Sequence, residues 1–354
     1  MTRGPRLSIA TIATATPMGA QAYERRIIAQ AEDALAATSA AAWRFRELTV
    51  RSLRSPLPGA RRLPMRFVAR APASVRREIG RMLFSGDAVS HRMGLELPPS
   101  PRADVVTLHD VVAWRFADES SPVPAAAEEL RRAAAVICVS EFSALEAVEV
   151  LGIPHPHVVH NGVDARYFDA PPMDDDARRA LNLPGPYVLH AGGAAERKNL
   201  AALAAAWPRV RSERPGLTLA LAGPPHPRRT ALFDGMPGVV LLGRLPDEAM
   251  PGLVAAASAV VVPSLYEGFG LPVLEAMAAN VPAVVANTSS LPEVAGGHAI
   301  LVDPDAAALA GGLIDATSAD SALAGMVRGA RTHADGFTWE RSALGHARIW
   351  ESLR

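Results

Sequence analysis

Lysine is nearly absent from this chain: of 36 basic residues among 354, 35 are arginine and one, Lys198, is lysine. Against that background a lone ammonium group reads as a required compact point charge, for which a planar guanidinium is no substitute. Cysteine is as scarce. Cys138 stands alone, so no disulfide closes within the chain and no oxidising compartment is called for. In the apolar run 135–139 it reads as a small buried hydrophobe. Aromatics make up 5%, and the 49% hydrophobic content is largely Ala, Val and Leu, which suits helices packed on parallel strands. No apolar stretch approaches the ~20 residues of a spanning helix. Arg3 and Arg6 precede a Thr-rich run leading into a charged helix, which reads as a first strand rather than a secretory leader. The expected location is the cytoplasm.

Net charge is also lacking, at zero, but its distribution is uneven. Residues 1–100 carry sixteen arginines against seven acids, and residues 101–354 carry twenty basic against twenty-nine acidic groups. Segment 44–81 holds eleven arginines beside only Glu47 and Glu78. It favours anionic partners, such as a lipid-linked acceptor or the inner face of an anionic membrane. Phe67 and Val68, or Met82, Leu83 and Phe84, could add shallow apolar contact. The alternative is a solvated Arg-rich face. No nucleic-acid partner is indicated.

Strand-like and helix-like stretches alternate throughout. Residues 7–13, 105–108, 136–139 and 158–160 read as strands, 20–35 and 125–134 as helices, and Ser140 as the cap of another helix. A Pro- and Asp-rich stretch, 169–176, reads as a linker. The pattern restarts at Pro186 with Tyr-Val-Leu-His-Ala-Gly-Gly (187–193), and further strands follow at 217–222, 239–242, 259–262 and 283–286. This predicts two doubly wound parallel-sheet domains, 1–165 and 166–336, followed by a helix over 337–354. Ligands of such sheets lie beyond the strand C-termini, here in a central cleft that the two domains face.

Three places after strands carry chemistry. In Pro-Ser-Leu-Tyr-Glu-Gly-Phe-Gly-Leu-Pro-Val-Leu-Glu-Ala-Met (263–277), Glu267 and Glu275 bracket a loop in which Gly268 and Gly270 permit close approach of a ligand. Phe269 lies between them, and a helix starts near Leu271, its free N–H groups suited to a phosphate or sugar oxygen. Glu275 can accept from both hydroxyls of a ribose and Glu267 from sugar hydroxyls; a capped helix whose dipole Glu275 stabilises is the plainer reading. In Gly-Gly-Ala-Ala-Glu-Arg-Lys-Asn-Leu (192–200), Gly192 follows a strand, and Arg197 and Lys198 can neutralise a diphosphate. In Thr-Leu-His-Asp (107–110), His109 ends a strand and Asp110 follows it; a hydrogen-bonded strand-end histidine is the alternative. Pro17, Met18, Gly19, Ala20 and Gln21 form a turn without the full dinucleotide fingerprint.

With these residues in family order, together with Val-Ser-Glu-Phe-Ser (139–143), Asn-Gly-Val-Asp (161–164), Asn-Thr-Ser-Ser-Leu-Pro-Glu-Val-Ala-Gly (287–296) and Phe-Thr-Trp-Glu (337–340), the chain resembles the family 4 retaining glycosyltransferases of GT-B fold. It is close to their bacterial mannosyltransferase-like branch. The resemblance implies that Arg197 and Lys198 hold the donor diphosphate, Glu275 the ribose and Glu267 the transferred sugar, with His109 on that sugar's opposite face. Gly19, Gly192, Gly268, Phe269, Gly270 and Leu271 would complete the donor site, and Ala20, Gln21 and Asp110 the acceptor side. The last helix would cross back onto the first domain. Two departures stand out. The first loop reads Met18-Gly19-Ala20 where the family often has Gly-Gly, and Asn280 replaces a glycine at a helix end.

The resemblance also implies hexosyl transfer from a nucleotide-diphosphate sugar, with a lean to GDP-mannose, by front-face attack. It needs neither a metal nor a bound cofactor, and Asp303 and Asp305 are not a metal site, since Asp305 reads as a helix cap. The acceptor is a glycan, a lipid-linked intermediate or a small molecule. A nucleotide-sugar 2-epimerase, a sugar phosphorylase and a non-catalytic nucleotide-sugar sensor are rival readings. The phosphorylase would need a pyridoxal lysine beyond Lys198.

Overall fold

The computed structural model describes residues 4–15, 19–318 and 321–354, so the readings of Arg3, Pro17 and Met18 fall outside it. The chain divides into two compact units, Met1–Gly162 with Trp339–Arg354, and Val163–Thr338. The units change over at 162/163 and 338/339, a few residues from the boundaries read at 165 and 336.

The first unit is built on strands β1 (Arg6–Ile12), β2 (Arg44–Ser52), β3 (Arg61–Leu63), β4 (Val89–Arg92), β5 (Ala103–Leu108), β6 (Ala135–Cys138) and β7 (His157–Val158). All pair in parallel, in the order β3-β2-β1-β4-β5-β6-β7. The second unit uses β8 (Tyr187–Ala191), β9 (Thr218–Ala222), β10 (Val239–Gly243), β11 (Ala259–Val262), β12 (Ala283–Ala286) and β13 (Ile300–Val302), parallel again, in the order β10-β9-β8-β11-β12-β13. Both are Rossmann-like. Central strands such as Ala-Val-Val-Val in β11 are buried along their whole length, as strands covered on both faces must be. In the second unit, Leu203, Trp207 and Val210 of helix Leu200–Glu213 and Leu309 and Leu313 of helix Ala306–Ala316 pack with Leu219, Leu221, Val261 and Val284 of the sheet. Each such aliphatic burial is worth about 1.5–3 kcal/mol.

Local chemistry sets the helix ends. Ser140 and Ser143 form a reciprocal capping box on helix Glu141–Leu151, which stops at Gly152 in the left-handed region. Asp305 accepts from Ala307 and Ala308 at the start of Ala306–Ala316, and Asn280 adopts φ 57° at a helix end. Part of the stretch read as linker is helical: Asp174 caps Asp175–Ala180 through Ala177 N at 2.8 Å.

Strands β2, β3, β4 and β13 escaped the sequence reading. In β2 the arginines break the alternation of apolar residues. In β4, Ser90, His91 and Arg92 are all buried, and partners offset the burial of each: Asp87 for Ser90, Thr107 for His91, Asp104 for Arg92. Segment 44–81 also needs correcting in detail. Arg76 is fully buried, paired to Glu129 at 2.6 Å, and Val68, Leu83 and Phe84 are core residues rather than membrane-facing ones. Phe67 and Met82 are exposed, by 58% and 74%.

The terminal helix Trp339–Ser352 belongs to the first unit and packs on helix Gly19–Thr38. A directed hydrogen-bond chain ties it to the sheet. Trp350 Nε1 donates to His91 Nδ1 (3.2 Å), which leaves the His91 proton on Nε2, facing Thr107 Oγ1 at 2.8 Å. Thr107 meets the Tyr23 hydroxyl at 3.0 Å. At the other end His346 Nδ1 donates to the Ser342 carbonyl (2.7 Å), so its Nε2 accepts from Tyr23 at 2.6 Å.

Candidate functional site

In a doubly wound sheet, the loops on either side of the point where strand order reverses splay apart and leave room for a ligand. In the second unit that point lies between β8 and β11. Lys198 lies on the connection after β8 and Glu267 on the connection after β11, and the structure brings them together. Lys198 Nζ is 2.5 Å from Glu267 Oε1, and Arg197 Nη1 is 3.1 Å from Oε2. Ser264 Oγ donates to the same Oε1 at 2.7 Å. Burial alone would raise the Glu267 pKa, but Lys198 and Arg197 outweigh it and hold the carboxyl near 2. It is ionised across the physiological range and poised as an acceptor.

The backbone around this cluster is tied down. Asn199, left-handed at φ 53°, donates from Nδ2 to the carbonyls of Pro263 (3.0 Å) and Pro304 (2.8 Å). Leu265 N bonds to Arg197 O at 2.7 Å. Ser289 Oγ accepts from Glu267 N at 3.0 Å, Ser290 Oγ donates to the carbonyls of Glu267 and Phe269, and Thr288 donates to Ser264 O. Asn-Thr-Ser-Ser (287–290) shows no role of its own in the sequence beyond its place in the family order. A run of small hydroxyls after β12 and before a helix is the signal that these loops need side-chain donors and acceptors.

Gly268, Phe269 and Gly270 are buried beneath this loop. Gly270 starts helix Leu271–Ala278 at φ 115°, with a Cβ there falling 2.8 Å from Leu291. Only glycine fits such a position. Glu275 lies one turn into that helix, partly exposed. Its pKa is raised to about 7, first by burial and then by Asp164 and Asp247, while the Tyr167 hydroxyl acts in the opposite direction. Sequence reasoning missed Tyr167 and Asp247. Gly192, also after β8, bonds through its N–H to Ala222 O at 3.0 Å.

In the first unit His109 follows β5, one strand beyond the β1/β4 reversal. Its ring meets Tyr23 edge-on at 4.7 Å, and Nε2 is buried without a partner among the described residues. Burial lowers its pKa to about 4, so the imidazole is neutral. Asp110 Oδ1 accepts from Val112 N at 3.1 Å. Gly19 opens helix Gly19–Thr38, with free space where a Cβ would be, and Ala20 and Gln21 continue it. Among the described residues, no cluster of three His, Cys, Asp or Glu side chains could hold a metal ion, and no helix is long and apolar enough to cross a membrane.

Comparison with known proteins agrees with this architecture. Residues 15–167 match the model of Glycosyltransferase Family 4, and residues 185–318 that of Glycosyl transferases group 1. The O-antigen chain mannosyltransferase B of Escherichia coli is 29% identical over 79% of this chain and 78% of its own length. The D-inositol 3-phosphate glycosyltransferase of Jonesia denitrificans is 32% identical over 56% of this chain and 51% of its own. Among solved structures, a sucrose-phosphate synthase from Thermosynechococcus elongatus superposes with a TM-score of 0.72 at 23% identity, covering 99% of both chains. HepE from Anabaena, solved with UDP and glucose, does so with 0.72 at 18% identity, covering 98% of this chain and 100% of its own. At these identities the solved structures speak to the fold.

Proposed function

The chain belongs to the family 4 glycosyltransferases, with the GT-B fold, and from that membership we propose a retaining transfer of a hexosyl group from a nucleotide-diphosphate sugar. The acceptor is a glycan, a lipid-linked intermediate or a small molecule. The observation that carries this reading is the Lys198–Glu267–Arg197 cluster at the strand reversal of the second unit. An ionised carboxylate and two cations share one spot, which suits a ligand that brings both hydroxyls and a diphosphate.

The roles follow from charge. Glu267 accepts from hydroxyls of the transferred sugar, and Glu275 accepts from the ribose. As the glycosidic bond breaks, negative charge grows on the leaving diphosphate, and Arg197, Lys198 and the backbone N–H of Leu271 oppose it without solvent reorganisation. A metal is not needed for that step. Neutral His109 offers a hydrogen bond to the sugar without a competing charge. In front-face attack the leaving phosphate oxygen takes the acceptor's proton, so no protein nucleophile is used.

GDP-mannose is the favoured donor, because relatives along most of the chain are named as mannosyltransferases; UDP-glucose is the competitor. Thermal shifts across a panel of nucleotide sugars test this, since a ligand selective for the native state stabilises it by RT ln(1 + [L]/Kd). A larger shift with UDP-glucose than with GDP-mannose overturns the donor assignment. Turnover of donor to its 2-epimer without acceptor would make the chain an epimerase instead. We also propose that the exposed arginines of 44–81 present the first unit to an anionic membrane surface, where a lipid-linked acceptor resides.

A further inference from the structure

The loop after β8 is held from below by two consecutive arginines that no donor motif includes. Arg229, on helix Pro227–Phe233, is buried, with 3% of its surface exposed. Its Nη2 donates to the carbonyls of Gly192 (2.5 Å) and Gly193 (3.0 Å), and its Nη1 to that of Pro224 (2.8 Å). Arg228 Nη1 donates to the carbonyl of Ala194 at 3.0 Å. Burying a guanidinium is costly unless its donors are used; here both terminal nitrogens are used on backbone carbonyls, while Nε is buried without a partner and no carboxylate pairs with Arg229 among the described residues.

The consequence lies on the opposite side of the loop. In a planar trans peptide the C=O and the following N–H point in opposite directions. Carbonyls 192, 193 and 194 are drawn toward Arg229 and Arg228. The N–H groups of Gly193, Ala194 and Ala195 are therefore turned away from both guanidiniums. Successive N–H groups with a common direction make a concavity that attracts an anion. Space is open where a Gly193 side chain would be. The Gly192 N–H is not among the three, since it bonds to Ala222 O at 3.0 Å.

A second observation marks the same spot. His190, at 3% exposure, is the penultimate residue of β8. Its Nδ1 lies 3.2 Å from the Val261 carbonyl, which can only accept, so the proton is on Nδ1 and Nε2 carries a lone pair. That Nε2 is buried without a partner among the described residues and lies against Gly192. It is an unsatisfied acceptor beside the loop, and it calls for a hydroxyl or other donor of the ligand rather than for the phosphate itself.

We propose that Arg229, assisted by Arg228, is a positioning residue for the donor diphosphate: by holding three consecutive carbonyls it aims the N–H groups of 193–195 at a phosphate. This rests on the reading that the second unit binds a nucleoside diphosphate. The arginines do not touch the ligand; they set the direction of the groups that do.

The test compares ligands with and without phosphate. Binding of GDP and UDP, and of guanosine and uridine, is measured by calorimetry and ligand-observed NMR on the full chain, for wild type, Arg229→Met and Arg228→Ala. Arg229→Met is expected to weaken the diphosphate by at least about tenfold while leaving the corresponding nucleoside unchanged, with Arg228→Ala causing a smaller loss of the same kind. Arg228 is only half-buried, so its variant keeps the inference testable if Arg229→Met does not fold. Equal losses for diphosphate and nucleoside, or no loss in either variant, overturn it. If wild type binds neither diphosphate, it is the donor reading itself that fails.

Discussion

The ammonium group of Lys198 lies 2.5 Å from Oε1 of Glu267, and both side chains are largely shielded, at 16% and 12% exposure. The lone lysine of the chain is therefore already paired with a carboxylate before any donor arrives, and a bound diphosphate would share it. Charge on that diphosphate grows in the transition state, so Lys198→Ala should lower kcat more than it raises KM, by roughly 10²–10³-fold, the scale for losing one preorganised donor to developing charge. A defect confined to KM would mean that Lys198 grips only the ground-state donor. Wild type should keep full activity in chelator; a strict divalent-metal requirement would contradict the role given to these cations.

Glu275 links donor affinity to pH. Its carboxyl titrates near 7, raised by burial and by Asp164 and Asp247, and only the ionised form can accept from both ribose hydroxyls. Donor affinity should therefore climb as pH rises from 6 to 8. Glu275→Gln should flatten that profile, and Glu275→Ala should cost about 1.5–3 kcal/mol for each charged hydrogen bond lost. The same shift acts on stability in the opposite sense. A carboxyl whose folded pKa is raised holds its proton more tightly when folded, so its contribution to stability falls between the unfolded value of 4.5 and about 7. Titration calorimetry across this range, with a profile independent of pH in wild type, would remove Glu275 from the donor site.

In the first unit the buried histidines act the other way. His346 is fully buried and neutral, its pKa lowered to about 4, chiefly by burial, and His91 is lowered by burial and by His346. A histidine with a depressed folded pKa contributes stability that is complete above the unfolded value of ~6.5 and is lost as pH falls toward the folded one. Protonation would also reverse the hydrogen-bond direction on which Tyr23 and Trp350 depend. Thermal unfolding should thus move to lower temperature between pH 7 and 5. Tyr23→Phe, which strands the His346 acceptor, should destabilise by about 1–3 kcal/mol in denaturant unfolding at pH 7.5. A melt unchanged by Tyr23→Phe would mean that the chain of bonds contributes nothing net.

How much of this was legible in the sequence depended on where each residue's partners lie. Glu267, Glu275, Arg197 and Lys198 sit in short segments whose glycines, prolines and charges carry their own local signal, and the apolar strands β11 and β12 were located to the residue. What escaped depends on distant partners. Nothing near Arg229 announces that it reaches back 37 residues to Gly192, and nothing near Tyr23 announces a partner 323 residues away. Strand β4 was hidden because Ser-His-Arg looks solvent-facing until Asp87, Thr107 and Asp104 are seen to satisfy it. Arg76 was misread for the same reason.

The basic segment supplies the last prediction. Arg61, Arg62, Arg66 and Arg70 lie on the edge strand β3 and the following helix Met65–Arg70; all four are exposed, and none forms an ion pair among the described residues. Arg76 instead is spent on Glu129, Arg77 faces Glu128, and Arg81 pairs with Glu78. The four unpaired guanidiniums share the region with Phe67 on the same helix and Met82 on the next, both exposed. A surface of this kind suits an anionic leaflet: each basic residue near it contributes about 1 kcal/mol, screened over a Debye length of ~10 Å at 0.1 M salt. Wild type should co-sediment with vesicles containing anionic lipid at low salt and release as salt rises, while binding neutral vesicles weakly. Changing Arg61, Arg62, Arg66 and Arg70 together to Ser should remove the salt-sensitive part without altering the melting temperature, since all four side chains are already in water. Phe67→Ser with Met82→Ser should reduce what persists at high salt. Equal binding to neutral and anionic vesicles, or to neither, would return these arginines to the solvated surface and direct the search to an acceptor free in solution.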